Sequence, residues 1–103
     1  QWMLADMSVQ LAAAQALVYK SAARTGSGFP DALEAAQAKV FTAEMAIKVT
    51  NEALQLFGAA GYSRNRPLER MARDARMFTI GGGTSQMLRN LIGHTVLQVA
   101  KKR

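Results

Sequence analysis

The residues best suited to chemistry in this sequence are three consecutive glycines, Gly81, Gly82 and Gly83, followed by Thr84, Ser85 and Gln86. Glycines in a row do not sit inside a helix, so the chain must turn there. Thr84 or Ser85 then offers a side-chain oxygen to cap the next helix. Backbone N–H groups at a glycine-led helix start favour anions, phosphate above all. The sequence lacks a Gly-Lys-Ser/Thr ending, so this is no ordinary P-loop, and a plain connecting loop is the competing reading. Other chemistry is sparse. There is no cysteine and a single histidine, His94. Disulfides and thiolate metal sites are thereby excluded, and a zinc site, whose ligands come in clusters, is disfavoured. His94 reads as a packed or rim residue beside an apolar stripe. Asp74 with Arg73 or Arg70 reads as a fixing ion pair, and Arg89 as an anchor for the last helix.

The elements that must position these residues are helical. The chain has 103 residues, half of them apolar and only two of them proline. That is enough for one domain with a modest core. No apolar run approaches the roughly 20 residues that cross a bilayer, and no signal peptide is visible. The absence of cysteine is compatible with an intracellular home. The net charge is +6, with five arginines between Arg64 and Arg76 and a basic end at Lys101, Lys102 and Arg103. Such clusters can bind polyanions. Glu69 and Asp74 interrupt this one, however, and only Tyr62 adjoins it for stacking, so nucleic acid is not expected as a partner.

Residues 1–24 predict a first helix with a stripe of Trp2, Ala5, Val9, Ala12, Ala16, Tyr19 and Ala23, flanked by Met3, Met7 and Ala14. No cap precedes Gln1 and there is no initiator methionine, which predicts a segment of a longer chain. The stretch from Thr25 through Gly26, Ser27, Gly28 and Phe29 to Pro30 is a breaker. Asp31 with Glu34 opens the longest helix in a capping-box-like pair. Its apolar stripe includes Leu33, Ala36, Val40, Ala43, Ile47, Leu54 and Phe57, with Phe41, Met45 and Leu56 beside it. So wide an apolar surface predicts more than one neighbour. Gly58 and Gly61 mark its end. Pro67 suits the first turn of a third helix, which buries Leu68, Met71, Ala75 and Phe78 and stops at the glycines. A fourth carries Leu88, Leu91, Ile92, Thr95, Val96 and Val99. The expected fold is all-α, an antiparallel (up-down) four-helix bundle.

Five ordered motifs give the chain a likeness. Gln1 through Met7 matches a Gln-x-x-Leu-Ala-Asp-Met signature, and Ala38-Lys39 an Ala-Lys pair. Residues 55–62 match Gln-x-x-Gly-Gly-x-Gly-Tyr, with Ala59 in place of the second glycine. Pro67-Leu68-Glu69-Arg70 and Arg73-Asp74-Ala75 follow in order. Together they resemble the C-terminal helical domain of acyl-CoA dehydrogenases, flavin enzymes that desaturate acyl-CoA thioesters between Cα and Cβ. The resemblance implies FAD as cofactor, touched by Gln55, Leu56, Phe57, Gly58 and Ala59 from a neighbouring subunit and by Thr84, Ser85 and Gln86. It places Gly83 beside the thioester substrate. It also implies an acyl-CoA substrate, an electron-transferring flavoprotein as partner, and assembly as a homo-oligomer (a dimer of dimers). The setting would be cytoplasmic in a bacterium or the mitochondrial matrix in a eukaryote.

One departure bears on mechanism. Many members of the family carry the catalytic base in Tyr-Glu-Gly-Thr, and here Gly81 and Gly82 stand for the tyrosine and glutamate. Glycine cannot take a proton from an acyl Cα. Branched-chain and long-chain members supply the glutamate from an earlier helix, whose equivalent would precede Gln1. The base is therefore outside this chain, on a partner subunit, or absent, and no carboxylate here is nominated. The room at Gly82 predicts a bulky, branched or long acyl group. Two other readings stay open. One is a non-catalytic structural subunit, hetero-oligomeric with a homologous, glutamate-bearing one. The other is an independent basic bundle that binds a polyanion.

Overall fold

Asp31 starts the helix on which the others are built. Its carboxylate oxygen accepts from the Glu34 N–H at 3.0 Å, which satisfies one of the free amides of the first turn. In this computed structural model residues 1–23, 26 and 28–102 are described. The expected helix end at Arg24, the breaker residues Thr25 and Ser27, and the terminal Arg103 lie outside the described residues. Five helices follow in order: α1 (Trp2–Ala23), α2 (Ala32–Phe57), α3 (Ala59–Tyr62), α4 (Leu68–Met77) and α5 (Ser85–Lys101). There is no strand among the described residues. The molecule is the all-α bundle expected, with the single turn of α3 as an addition.

α2 is 26 residues long, about 39 Å at the usual rise, and it touches each of the other four helices. Its buried side chains are small: Ala36, Ala38, Val40 and Ala43. α1 returns antiparallel along it, with Val18 and Ser21 opposite Ala35, Ala38 and Thr42 and Lys20 paired with Glu34 at 3.5 Å. α3 sits against the C-terminal turn of α2, and Phe78, just past α4, lies over Ala43 and Ala46. α4 therefore runs antiparallel over the C-terminal half. α5 also runs antiparallel, with Leu88 and Leu91 over Ala32, Ala35 and Ala36 of the N-terminal half. Among the described residues α1 packs on neither α4 nor α5.

The first helix turns a different face inward from the one its stripe indicates. Met7, Ala14 and Ser21, seven residues apart, are its buried residues, while Trp2 is 74% exposed and Tyr19 68%. The helix is apolar over most of its circumference, so periodicity alone does not choose a side. Two of the three, Ala14 and Ser21, are small, and the residues that α2 buries are mostly alanine. Among the described residues no large side chain is fully buried.

Gly61 shows how tight the far end is. A Cβ there would lie 2.7 Å from the Leu54 carbonyl oxygen and 2.9 Å from Phe57 Cβ. Backbone cannot give way as a flexible side chain can. Gly61→Ala is expected to destabilise by about 1–3 kcal/mol, measured as a lower urea midpoint of the complete protein. An unchanged midpoint would show that α3 is free to move.

The triglycine loop as candidate functional site

α4 does not stop abruptly. Phe78, Thr79, Ile80 and Gly81 fold back through N–H bonds to Ala75, Arg76 and two to Met77, at 2.8–3.3 Å. Thr79 is buried. Its hydroxyl donates to the Arg76 carbonyl and accepts from the Arg76 guanidinium, each at 2.9 Å. Gly82 and Gly83 then take φ of 67° and 93°, a region that L side chains rarely adopt. The Ser85 N–H returns to the Thr79 carbonyl at 3.0 Å and closes the loop. Of the two capping residues the sequence offers, Thr84 is the N-cap, its hydroxyl accepting from the Met87 N–H at 3.1 Å. Ser85 is left buried, and its hydroxyl has no hydrogen-bond partner among the described residues.

Two side chains of α2 hold this loop and the helix after it. Lys39 Nζ donates to the Gly81 and Gly83 carbonyls at 2.7 and 2.6 Å. About one and a half turns on, Glu44 receives both arms of the Arg89 guanidinium, with Nη2 to Oε2 at 2.8 Å and Nη1 to Oε1 alongside. These hydrogen bonds hold the Glu44 carboxyl below the ordinary carboxylate range, against a smaller opposing effect of burial. Arg89 is thus the anchor its position suggests. Neither Lys39 as a loop clamp nor Glu44 stands out in the sequence, because each meets its partner more than 40 residues away.

A cleft of about 340 Å³ opens between α2 and the loop, lined by Glu44, Ile47, Arg76, Thr79, Ile80, Thr84, Ser85 and Gln86. It has a guanidinium, the start of a 17-residue helix and a buried unpartnered hydroxyl. Such a set suits an anionic or hydrogen-bonding ligand group. Gln55, Leu56, Phe57, Gly58 and Ala59 lie elsewhere, all exposed at the far end of α2. Ile47 and Gln55 are eight residues, about 12 Å, apart along the helix. The two expected cofactor segments are therefore separate surfaces of one chain. Gly82 and Gly83 are exposed at the tip of the loop.

The arginines expected to act as a cluster are divided. Arg64, Arg66 and Arg70 line a groove of about 430 Å³, with Arg66 5.5 Å above the Phe57 ring. Arg73 pairs with Glu69 at 3.5 Å rather than with Asp74, and Arg76 turns into the loop cleft. His94 is exposed, with Nε2 3.2 Å from Gln98 Nε2. Among the described residues no group of His, Cys, Asp and Glu is placed to hold a metal, and no helix is long and apolar enough to cross a membrane.

The fold and the loop define a helical domain that presents a glycine-rich turn and an anion-suited cleft at its surface. The family described as "Acyl-CoA dehydrogenase, C-terminal domain" matches residues 1–97, and the chain belongs to that family. It is 63% identical over 97 residues to a 3-sulfinopropanoyl-CoA desulfinase of Paraburkholderia xenovorans, covering 94% of this chain and 25% of that protein. It is 42% identical over 97 residues to a short-chain-specific acyl-CoA dehydrogenase of Clostridium acetobutylicum, covering 94% and 26%. Among solved structures, butyryl-CoA dehydrogenase of Megasphaera elsdenii superimposes with a TM-score of 0.89 at 41% identity, covering 93% of this chain and 25% of that one. The chain thus spans about a quarter of the length of the relatives it matches.

Two outcomes follow from the loop and its clasp. Gly82→Ala is expected to cost about 1–2 kcal/mol from the left-handed backbone alone, since nothing lies within 4 Å of the added Cβ. A denaturation midpoint equal to that of the parent would show that the loop relaxes. Because Glu44 has a lowered value when folded, its contribution is present above the unfolded carboxylate range and is lost as pH falls through the folded value. The thermal midpoints of the parent and Glu44→Gln are therefore expected to differ at neutral pH and to converge below about pH 4. A pH-independent gap would assign the effect to packing.

Proposed function

We propose that this chain is the C-terminal part of a longer, FAD-dependent enzyme of acyl-CoA thioesters, and that its reaction is desulfination of 3-sulfinopropanoyl-CoA. The observation that carries this reading is the loop itself. At the position of the family's glutamate stands Gly82, in a backbone conformation suited to glycine. The greater likeness to a desulfinase (63%) than to a dehydrogenase (42%) points the same way. In the balanced reaction the C3–S bond breaks, C3 gains a proton, and the sulfinate with one water leaves as hydrogen sulfite. The remaining product is propanoyl-CoA, and no external oxidant or reductant is consumed.

FAD fits the residues present. The unpartnered Ser85 hydroxyl, Thr84, Gln86 and Arg76 would face one part of it. Gln55–Ala59 would meet the FAD of a neighbouring copy, in keeping with their separation from the loop. In the family's dehydrogenation chemistry a bound flavin would supply the hydride acceptor, a capacity that desulfination does not call on. This chain's own contribution is to orient the thioester beside Gly83 and to cover the cofactor from water. Its apolar, exposed face of α1, with Trp2, Val9 and Tyr19, would be buried in the complete assembly.

The second reading is α,β-dehydrogenation, favoured by the dehydrogenase relatives and the butyryl-CoA dehydrogenase superposition. It needs a carboxylate base from outside these residues and passes electrons to an electron-transferring flavoprotein. One assay separates the two. The complete protein is incubated with 3-sulfinopropanoyl-CoA without an electron acceptor, and with butanoyl-CoA plus an acceptor dye. Equimolar sulfite and propanoyl-CoA in the first tube are expected. Dye reduction in the second with no sulfite in the first would overturn desulfination and leave dehydrogenation standing.

A further inference from the structure

Lys39 occupies the middle of α2, yet its ammonium ends between two backbone carbonyls 42 and 44 residues away. The carbonyls belong to Gly81 and Gly83, so they flank the position where relatives of the family carry their base. Both contacts, at 2.7 and 2.6 Å, lie at the short end for a charged donor. Among the described residues no carboxylate pairs with Lys39. Its acceptors are main-chain oxygens, and two of its three donors serve the loop.

The loop has little else to hold it. Three glycines in succession carry no side chains to pack and lose the most freedom on ordering. Among the described residues the turn is otherwise tied by the Gly81 N–H to the Met77 carbonyl on entry and by the Ser85 N–H to the Thr79 carbonyl on exit. On one side of Gly83 the nearest neighbour of an added Cβ would be Leu88, at 3.4 Å, and at Gly82 there is none within 4 Å. The carbonyls on either side of Gly82 are both held by Lys39, and beyond the Gly81 N–H bond to the Met77 carbonyl that grip fixes where Gly82 stands. We propose that Lys39 is a positioning residue for the reaction. Its ammonium clamps Gly81 and Gly83 and so fixes how the exposed Gly82–Gly83 backbone meets the acyl thioester. This rests on the reading in which that loop faces an acyl-CoA.

The test uses the complete enzyme and whichever acyl-CoA the parent turns over. Lys39→Met removes the clamp at similar side-chain length, and Lys39→Arg restores a cation that can reach both carbonyls. In Lys39→Met, kcat is expected to fall about 10- to 100-fold, with KM changed by less than about threefold. Lys39→Arg is expected to recover most of the loss. Hydrogen exchange in peptides spanning residues 79–88 should quicken by about tenfold, with the rest of the protein unchanged. A kcat within about twofold of the parent, or unaltered exchange across 79–88, would overturn the proposal. So would a general loss of stability that Arg does not correct. If Lys39→Met does not fold, Lys39→Gln, which reaches at most one carbonyl, decides by the same readouts. A parent enzyme inactive on every acyl-CoA would instead fail the underlying reading, while the exchange data still report whether Lys39 holds the loop.

Discussion

α1, α3, α4 and α5 all pack against α2, and the side chains that α2 buries against them are mostly alanine. A helix faced with leucine would hold its neighbours about 10 Å away, whereas small residues bring backbones nearer and let one helix serve several partners. The cost is a shallow core. With no large side chain fully buried among the described residues, little apolar surface per residue is removed from water. Large apolar side chains on α1 and α5, such as Trp2, Val9 and Leu97, stay exposed. The arrangement is that of a layer suited to being covered on further sides.

The same helix also governs the loop. Along α2, Asp31 caps the start, Lys39 clamps the glycine turn, and Glu44 clasps α5 through Arg89. Lys39 reaches the glycines at the end of one segment, and Glu44 reaches Arg89 near the beginning of the next. The polar contacts there act where the glycines offer no packing. Salt bridges between exposed groups contribute little on their own. The bidentate geometry of Glu44 with Arg89 matters for where it puts α5, and so for the cleft containing Ser85.

Much of this was legible in the sequence because it depends on neighbours in the chain. The Asp31 cap, the glycine stop after α4 and a hydroxyl cap before α5 are local events, and ordered motifs from Gln1 to Ala75 pointed to the family. What the sequence hid was relational. It could not say which face of α1 is inward, because Trp2, Val9 and Tyr19 are as apolar as Met7 and Ala14. It could not choose Thr84 over Ser85 as the cap, which leaves Ser85 as the unpartnered hydroxyl in the cleft. α3 went unseen because Gly58 and Gly61 read as an ending, whereas Gly61 is a point of close contact. Lys39 matched a pair within a motif, but nothing in its surroundings foretold two carbonyls brought from residues 81 and 83.

The left-handed backbone at Gly82 also constrains which residues this position can take. The space where a side chain would go is open, so on steric grounds a carboxylate could be accommodated. The main chain stands in the way, since at φ of 67° any residue other than glycine begins at a disadvantage. A single change to glutamate would weaken the loop before it conferred a base in a useful direction. Placing a functional side chain at 82 therefore calls for the backbone there to be reset together with the residue.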